Sequence, residues 1–195
     1  VQKRPVHVFP GAICTLGGVR INSFTETGIK GLFAAGEVAG GVHGAARLGG
    51  DALVETIVYG ARAGKTAALH ALSTSLPKSL PEGKHTKMDL EVVLANPPND
   101  PGTPQKIKNR IKSIMWQNVG LLRDEKGLRQ ALKGLQSIQK EALPHLFART
   151  FRDLREVVEV RNMVLVAEMV TRSALMREES RGAHYRLDRS YRDDR

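Results

Sequence analysis

Arg47 stands between a glycine-rich loop and a helical stretch, an arrangement suited to holding an anion. It precedes Leu48-Gly49-Gly50-Asp51, after which Leu53, Ile57, Ala61, Gly64 and Ala68 recur at helical spacing. A glycine pair running straight into a helix leaves backbone N–H groups unpaired and facing the concavity of the loop, where they can receive negative charge. The guanidinium of Arg47 matches a carboxylate in a two-pronged grip and keeps its proton. It serves either such a ligand or a salt bridge to Asp51 or Glu37. Glu37 follows the apolar run Leu32–Ala35 and Gly36. If that run is a strand, the carboxylate lies at its C-terminal edge, where open α/β sheets bind ligands, and can accept hydrogen bonds from a cofactor's hydroxyls. The alternative is an exposed turn residue. His43 lies among Gly40, Gly41 and Gly44, glycines that let the backbone approach a flat ligand closely. Its imidazole is either a proton carrier or a hydrogen-bond partner of the backbone.

Residues of this kind need a scaffold, and residue patterns divide the chain. Residues 1–72 hold 13 of the 19 glycines. Within them Val6–Phe9, Val19–Ile21 and Leu32–Ala35 read as strands between turns. A helix follows from Ala52 to about Ala71, with Asp51 as its N-cap and Glu55 adding negative charge near that end. Residues 73–103 read as a proline-rich linker in which Pro77, Pro81, Pro97, Pro98 and Pro101 forbid a long helix, leaving room for a short extended piece at Leu90–Ala95. Thr103-Pro104 opens a helix with Ile107, Ile111, Ile114 or Met115, Asn118 and Leu121 on one face. A second runs from Leu128 to Leu143 on Leu128, Leu132, Leu135 and Ile138, and stops at Pro144. The third, from Phe151 to Glu179, turns Leu154, Val157, Val158, Val164, Ala167, Val170, Ala174 and Leu175 inward. Three amphipathic helices predict a bundle domain over residues 104–180, with residues 181–195 as a tail that packs on the glycine-rich domain. The expected fold class is α+β.

The formal charge of +10 suits nucleic acid, an anionic membrane surface, anionic substrates or an acidic partner. Lys and Arg are interleaved with Glu and Asp through the helical half, and aromatic residues are only 5%, too few for a stacking platform, so nucleic acid is not expected. The basic faces read as solvated helix surface. A helical module docking an acidic partner subunit is the non-enzymatic alternative. Cys14 stands alone, which excludes an internal disulfide or an all-cysteine metal site in this chain and suits a reducing compartment. No run is apolar and long enough for a bilayer and no signal peptide opens the chain. The expected location is cytoplasmic, with room for peripheral contact at the cytoplasmic membrane face. The chain begins at Val1 rather than at methionine, so a piece of a longer polypeptide is expected.

Residues 31–64, GLFAAGEVAGGVHGAARLGGDALVETIVYGARAG, resemble the second flavin-contacting segment of the succinate dehydrogenase, fumarate reductase and L-aspartate oxidase flavoproteins, whose pattern is GL(F/Y)AAGE followed by HGANRLGGNSL. Thr15-Leu16-Gly17-Gly18 is similar to that family's TMGG turn, and Glu179-Ser180-Arg181-Gly182 to its ESRG segment. The resemblance covers nearly the whole chain as the family's carboxyl-terminal portion. It implies part of a split FAD-binding domain followed by the helical bundle. It also implies FAD as cofactor, with hydride transfer between flavin and a small dicarboxylate such as succinate, fumarate or a related acid. By the same resemblance Glu37 binds hydroxyls of the FAD ribityl chain, Gly17 and Gly18 form the turn flanking the flavin, and Ala52 and Leu53 lie against the isoalloxazine ring. Arg47 holds a substrate carboxylate, and His43 is the remaining histidine of the HGANR motif. Arg181 ties the carboxyl-terminal segment to the flavin domain. The implied partners are an amino-terminal flavin-binding half, as a separate chain or as the remainder of the same polypeptide, and an iron–sulfur electron-transfer subunit.

Several positions depart from the pattern. The family's substrate-contacting histidine, four residues before the first glycine of TMGG, is Ile13 here, and an isoleucine donates no hydrogen bond to a carboxylate. His7 lies too early to replace it. The motif's first Asn is Ala46, its second is Asp51 and its Ser is Ala52. Asp51 puts negative charge near the flavin ring, to be offset by Arg47 or the helix terminus. These changes imply an altered substrate, an altered potential or weakened catalysis. No GxGxxG follows an early strand, so this chain alone is expected neither to hold FAD tightly nor to turn over.

Overall fold

The computed structural model describes residues 11–75, 104–148 and 150–194. The expected strand Val6–Phe9, His7 and nearly all of the expected linker, including Leu90–Ala95, lie outside the described residues. The chain divides into two units, Val1–Pro77 and Lys78–Arg195.

In the first unit β1 (Val19–Arg20) and β2 (Ala39–Gly40) pair in parallel, Val19 opposite Ala39 and Arg20 opposite Gly40. Glycine is required on both sides of this contact. A Cβ on Gly18 would sit 2.1 Å from the Val38 carbonyl oxygen, and one on Gly40 would sit 2.8 Å from the Gly18 nitrogen. The expected strand at Leu32–Ala35 does not form. Only Phe33 bridges, to Glu26, flanked by bonds from Thr27 N–H to Leu32 O and from Ala34 N–H to Thr25 O. The chain then turns at Gly36, whose carbonyl accepts from Ala39 N–H at 2.8 Å, so Glu37 occupies a turn rather than a strand end.

Helix α1 runs Asp51–Ser73. Asp51 is its first residue and not its N-cap. Gly50 takes that place with φ 90°, in the left-handed region, and no side chain caps the helix. Of the residues that recur at helical spacing Leu53 and Ile57 are exposed, while Glu55 is the buried residue of the helix. The polar side of α1 is the one that meets the rest of the unit. Arg62 donates to the Ser23 carbonyl, and His70 meets the Phe33 ring edge-on. Ala39 is the one buried hydrophobic residue among the described residues of this unit.

The second unit is a three-helix bundle of α2 (Pro104–Val119), α3 (Glu125–Ser137) and α4 (Phe151–Met176). Pro104 opens α2 at a position where its missing N–H costs nothing. Asp124 caps α3 by accepting Gly127 N–H, and Thr150 with Asp153 forms a capping box on α4. The core draws Ile107 and Ile111 from α2, Leu128, Ala131 and Leu135 from α3, and Val157, Val160 and Val164 from α4. Three expectations need correction. The second helix does not continue as α-helix to Leu143, but passes into a π turn at Ile138–Ala142 and a 3-10 turn at Leu143–His145 that contains Pro144. The third ends at Met176, where Arg177 turns extended. Leu121 and Val158 are exposed, their places inside being taken by Val119 and by Val160. Lys108 is buried between α2 and α4, where it meets Glu156 and, at 2.8 Å, Glu159.

After α4 the chain folds back on the bundle. Strand β3 (Leu122–Arg123) pairs in parallel with β4 (Tyr185–Arg186). Arg181 binds Glu179, the Asp193 carbonyl and Asp194, which ties the ends of the tail together. His184 is buried, with Nδ1 2.8 Å from Arg123 Nη1 and Nε2 3.1 Å from the Arg177 carbonyl. Because the guanidinium can only donate, Nδ1 accepts, and Nε2–H donates to Arg177. Burial, together with the cations of Arg123, Arg177 and Arg186, holds its pKa below the usual 6.5. The unfolded chain therefore binds this proton more readily than the folded one. The contribution of neutral His184 is complete above pH 6.5 and is lost as pH falls through the depressed folded value. Denaturant midpoints measured across that window should fall with pH in the wild type, and fall less steeply in His184→Asn.

Candidate functional site

The bend from β2 through Gly50 into α1 carries four of the seven residues expected to form a site, His43, Arg47, Ala52 and Leu53. His43 Nε2 lies 3.0 Å from Glu55 Oε2, across twelve residues of chain. Both side chains are largely buried, 16% and 6% exposed respectively. The other carboxylate oxygen, Glu55 Oε1, is buried with no hydrogen-bond partner. Arg47 donates through Nη1 to the Leu48 carbonyl at 3.0 Å, while its Nε is buried without a partner. Among the described residues no ion pair joins Arg47 to Asp51 or Glu37, so of the two readings of this guanidinium the internal salt bridge is not formed. Ala52 is half-buried at the start of α1 and Leu53 is exposed, and the first-turn amides have no side-chain acceptor.

Glu37 and the glycine pair lie apart from that bend in role. Glu37 is exposed, and its Oε1 accepts Thr15 N–H at 2.8 Å, which ties the segment before β1 to the turn before β2. Gly18 is occupied by its contact with Val38 and Gly40, whereas a Cβ on Gly17 would meet nothing within 4 Å. Ile13 is 85% exposed.

A flat cofactor is compatible with two observations: the start of α1 has no side-chain cap, and a Cβ on Gly17, Gly41 or Gly44 would meet nothing within 4 Å, which leaves bare backbone there. The residue that sequence reasoning missed is Glu55 as the partner of His43. It was visible only as charge near the helix start, because a loop-to-helix pairing over twelve residues leaves no periodic signal. Among the described residues no group of three His, Cys, Asp or Glu side chains could hold a metal ion, and no helix is long and apolar enough to cross a membrane. A groove of about 630 Å³ between α2 and α4, lined by Met115, Met163, Val166 and Val170, carries none of this chemistry.

Comparison with known proteins decides the assignment of these segments. The family described as "Fumarate reductase flavoprotein C-term" matches residues 108–195, and "FAD binding domain" matches residues 1–53, which include Arg47, His43 and Glu37. The chain belongs to the succinate dehydrogenase, fumarate reductase and L-aspartate oxidase flavoprotein family. Within that flavoprotein family it corresponds to the carboxyl-terminal portion. An uncharacterized FAD-dependent oxidoreductase of Methanocaldococcus jannaschii is 40% identical over 96% of this chain and 34% of its own length. A subunit of the fumarate reductase (CoM/CoB) of Methanothermobacter marburgensis is 39% identical, and the L-aspartate oxidase of Vibrio cholerae 36%, each over the same shares. Mycobacterium smegmatis Sdh1 in complex with UQ1 is similar in structure, with a TM-score of 0.84 at 32% identity over 92% of this chain and 31% of that one. The chain thus spans about a third of the length of the flavoproteins it matches. The α+β architecture, part of an FAD-binding domain followed by a helical bundle, is that of this family.

Proposed function

We propose that this chain is the carboxyl-terminal part of an FAD-dependent oxidoreductase that moves a hydride between flavin and a small dicarboxylate, such as succinate, fumarate or a related acid. The observation that carries the reading is Arg47, whose Nε is buried without a partner beside an uncapped helix start. A buried donor without an acceptor costs about 1–3 kcal/mol, which a bound carboxylate removes. FAD, when bound, supplies the two-electron chemistry at its ring. The residues of this chain do the rest. Arg47 holds the substrate carboxylate through its Nε and Nη2 edge. The first-turn amides of α1, with Ala52 and Leu53, face the ring, and Gly17 and Gly18 flank it. Glu37 has one oxygen on Thr15 N–H and offers the other to the cofactor's hydroxyls. His43 holds or moves a proton at the imidazole. Ile13 puts an apolar side chain where the family pattern has a histidine, which points to an acid with one carboxylate less firmly held.

The reading extends to partners. An amino-terminal flavin-binding half completes the site, and electrons pass to an iron–sulfur subunit, in keeping with one relative named as a component of a fumarate reductase and another seen in complex with UQ1. The location that fits is the cytoplasm, at or near the membrane face. This chain joined to an amino-terminal dinucleotide-binding half should retain flavin absorbance through gel filtration and show dicarboxylate-dependent reduction, whereas the chain alone should lose flavin on the column. Flavin retained by the chain alone would contradict the split-site part of the reading. An assembly that never binds flavin would remove the reading altogether and favour the docking module.

A further inference from the structure

His43 and Glu55 belong to different local structures, the loop after β2 and the second turn of α1, yet their side chains meet at 3.0 Å in a largely buried contact. An ionised carboxylate accepts hydrogen bonds and donates none, so the imidazole nitrogen facing it must carry the proton. That nitrogen is Nε2. In the neutral ring the remaining nitrogen, Nδ1, is then the one with a free lone pair. Glu55 makes no competing bond, since its second oxygen is buried and unpartnered. A buried carboxylate with so little hydration depends on this one donor, which makes the pairing specific rather than incidental.

We propose that Glu55 is a positioning residue for His43. Its carboxylate fixes the imidazole as the Nε2–H tautomer and turns Nδ1 outward as the proton-accepting atom of the site. The proposal rests on the reading of His43 given above, and it adds which nitrogen acts and what orients it. Without Glu55 the ring samples both tautomers and loses its fixed plane. A proton acceptor is then correctly presented only part of the time.

The test uses the flavin-loaded assembly with ¹⁵N-labelled histidine, where the shifts of Nδ1 and Nε2 report the tautomer directly. The chain has six histidines, and the His43 signals are assigned by their loss in His43→Gln. Wild type should show His43 as a single Nε2–H tautomer. Glu55→Gln, which keeps an acceptor oxygen, should retain mostly that pattern, and Glu55→Leu should give averaged shifts. Turnover should follow: Glu55→Leu lowers kcat by about 10- to 100-fold with KM little changed, and Glu55→Gln recovers most of it. Combining Glu55→Leu with His43→Gln should cost no more than His43→Gln alone, because both changes remove one function. Averaged shifts in wild type, or an unchanged pattern in Glu55→Leu, would overturn the proposal. The tautomer is read whether or not dicarboxylate is turned over, so an inactive assembly with the wild-type pattern intact counts against the proposed reaction and not against this pairing.

Discussion

Arg47→Gln in the flavin-loaded assembly should lower dicarboxylate-dependent flavin reduction by about 10²- to 10³-fold while leaving flavin content near the wild-type level. The size of the effect follows from the state of the guanidinium. One nitrogen is anchored on the Leu48 carbonyl and another is buried with nothing to bind, so the group is already oriented before an anion arrives. Orientation of this kind means the charge does not have to be organised during the reaction. Glutamine supplies one donor at most and no charge. Arg47→Lys should recover only part of the loss, since an ammonium offers a point charge in place of a planar fork. Stopped-flow reduction at saturating acid, with flavin absorbance per protein as the control, separates a chemical defect from failed cofactor binding. A variant that keeps wild-type reduction rates would remove Arg47 from the site.

Arg47 also shows how far the sequence could be read. Its residue type, the glycine pair behind it and the helix ahead of it are local facts, and local facts were legible. So were the three helices of the bundle, whose apolar residues repeat at helical spacing and the first of which opens at Pro104, although the second begins at Glu125 behind its cap Asp124 rather than at Leu128. What spacing leaves open is the orientation of α1. A periodic stripe such as Leu53, Ile57 and Ala61 identifies a helix, but it does not say which neighbour covers it, and in this chain the polar side bearing Glu55 and Arg62 is the side in contact. The strand expected at Leu32–Ala35 failed for a related reason. Apolar residues favour extended backbone, but a ladder also needs a partner, and within the described residues Phe33 finds only one bridge. Aspartate is a good cap and its position predicts Asp51 in that role, yet a left-handed Gly50 placed before it shifts the helix start by one residue. Pairings across sequence, among them His43 with Glu55 and Lys108 with Glu156, leave no trace in spacing and emerge only from the fold.

The larger structural effect should come from Arg186, a residue whose sequence context gave no sign of its importance. It is 1% exposed, and its guanidinium does two jobs at the end of α4. Nη1 donates to the carbonyls of Ala174, Leu175 and Arg177, groups that the end of a helix leaves without intrahelical partners. Nε and Nη2 grip Asp188 at 2.8 and 2.7 Å. Asp188 in turn accepts Glu125 N–H at the start of α3, so the pair joins the last turn of one helix to the first turn of another through the tail. The Arg186 cation holds the Asp188 carboxyl well below the usual carboxylate range, and Asp188 raises the pKa of Arg186 in return. Arg186→Met keeps most of the volume but strips the Ala174 and Leu175 carbonyls of this donor, leaves the Arg177 carbonyl with His184 alone, and leaves Asp188 facing an apolar chain. Removing one member of a buried, hydrogen-bonded ion pair costs about 3 kcal/mol or more. The bundle should lose that much in urea denaturation, with the slope of the transition unchanged. Asp188→Asn should cost less, because the carbonyl caps remain and an amide oxygen still accepts from the guanidinium. The sign with pH is fixed by the depressed Asp188 value: its contribution is complete above the ordinary carboxylate pKa and is lost as pH falls towards the folded one. Wild type should therefore lose stability on strong acidification, a loss that Arg186→Met no longer shows. Equal midpoints for wild type and Arg186→Met at neutral pH would mean that water or other donors satisfy these carbonyls, and that the tail does not clamp the bundle.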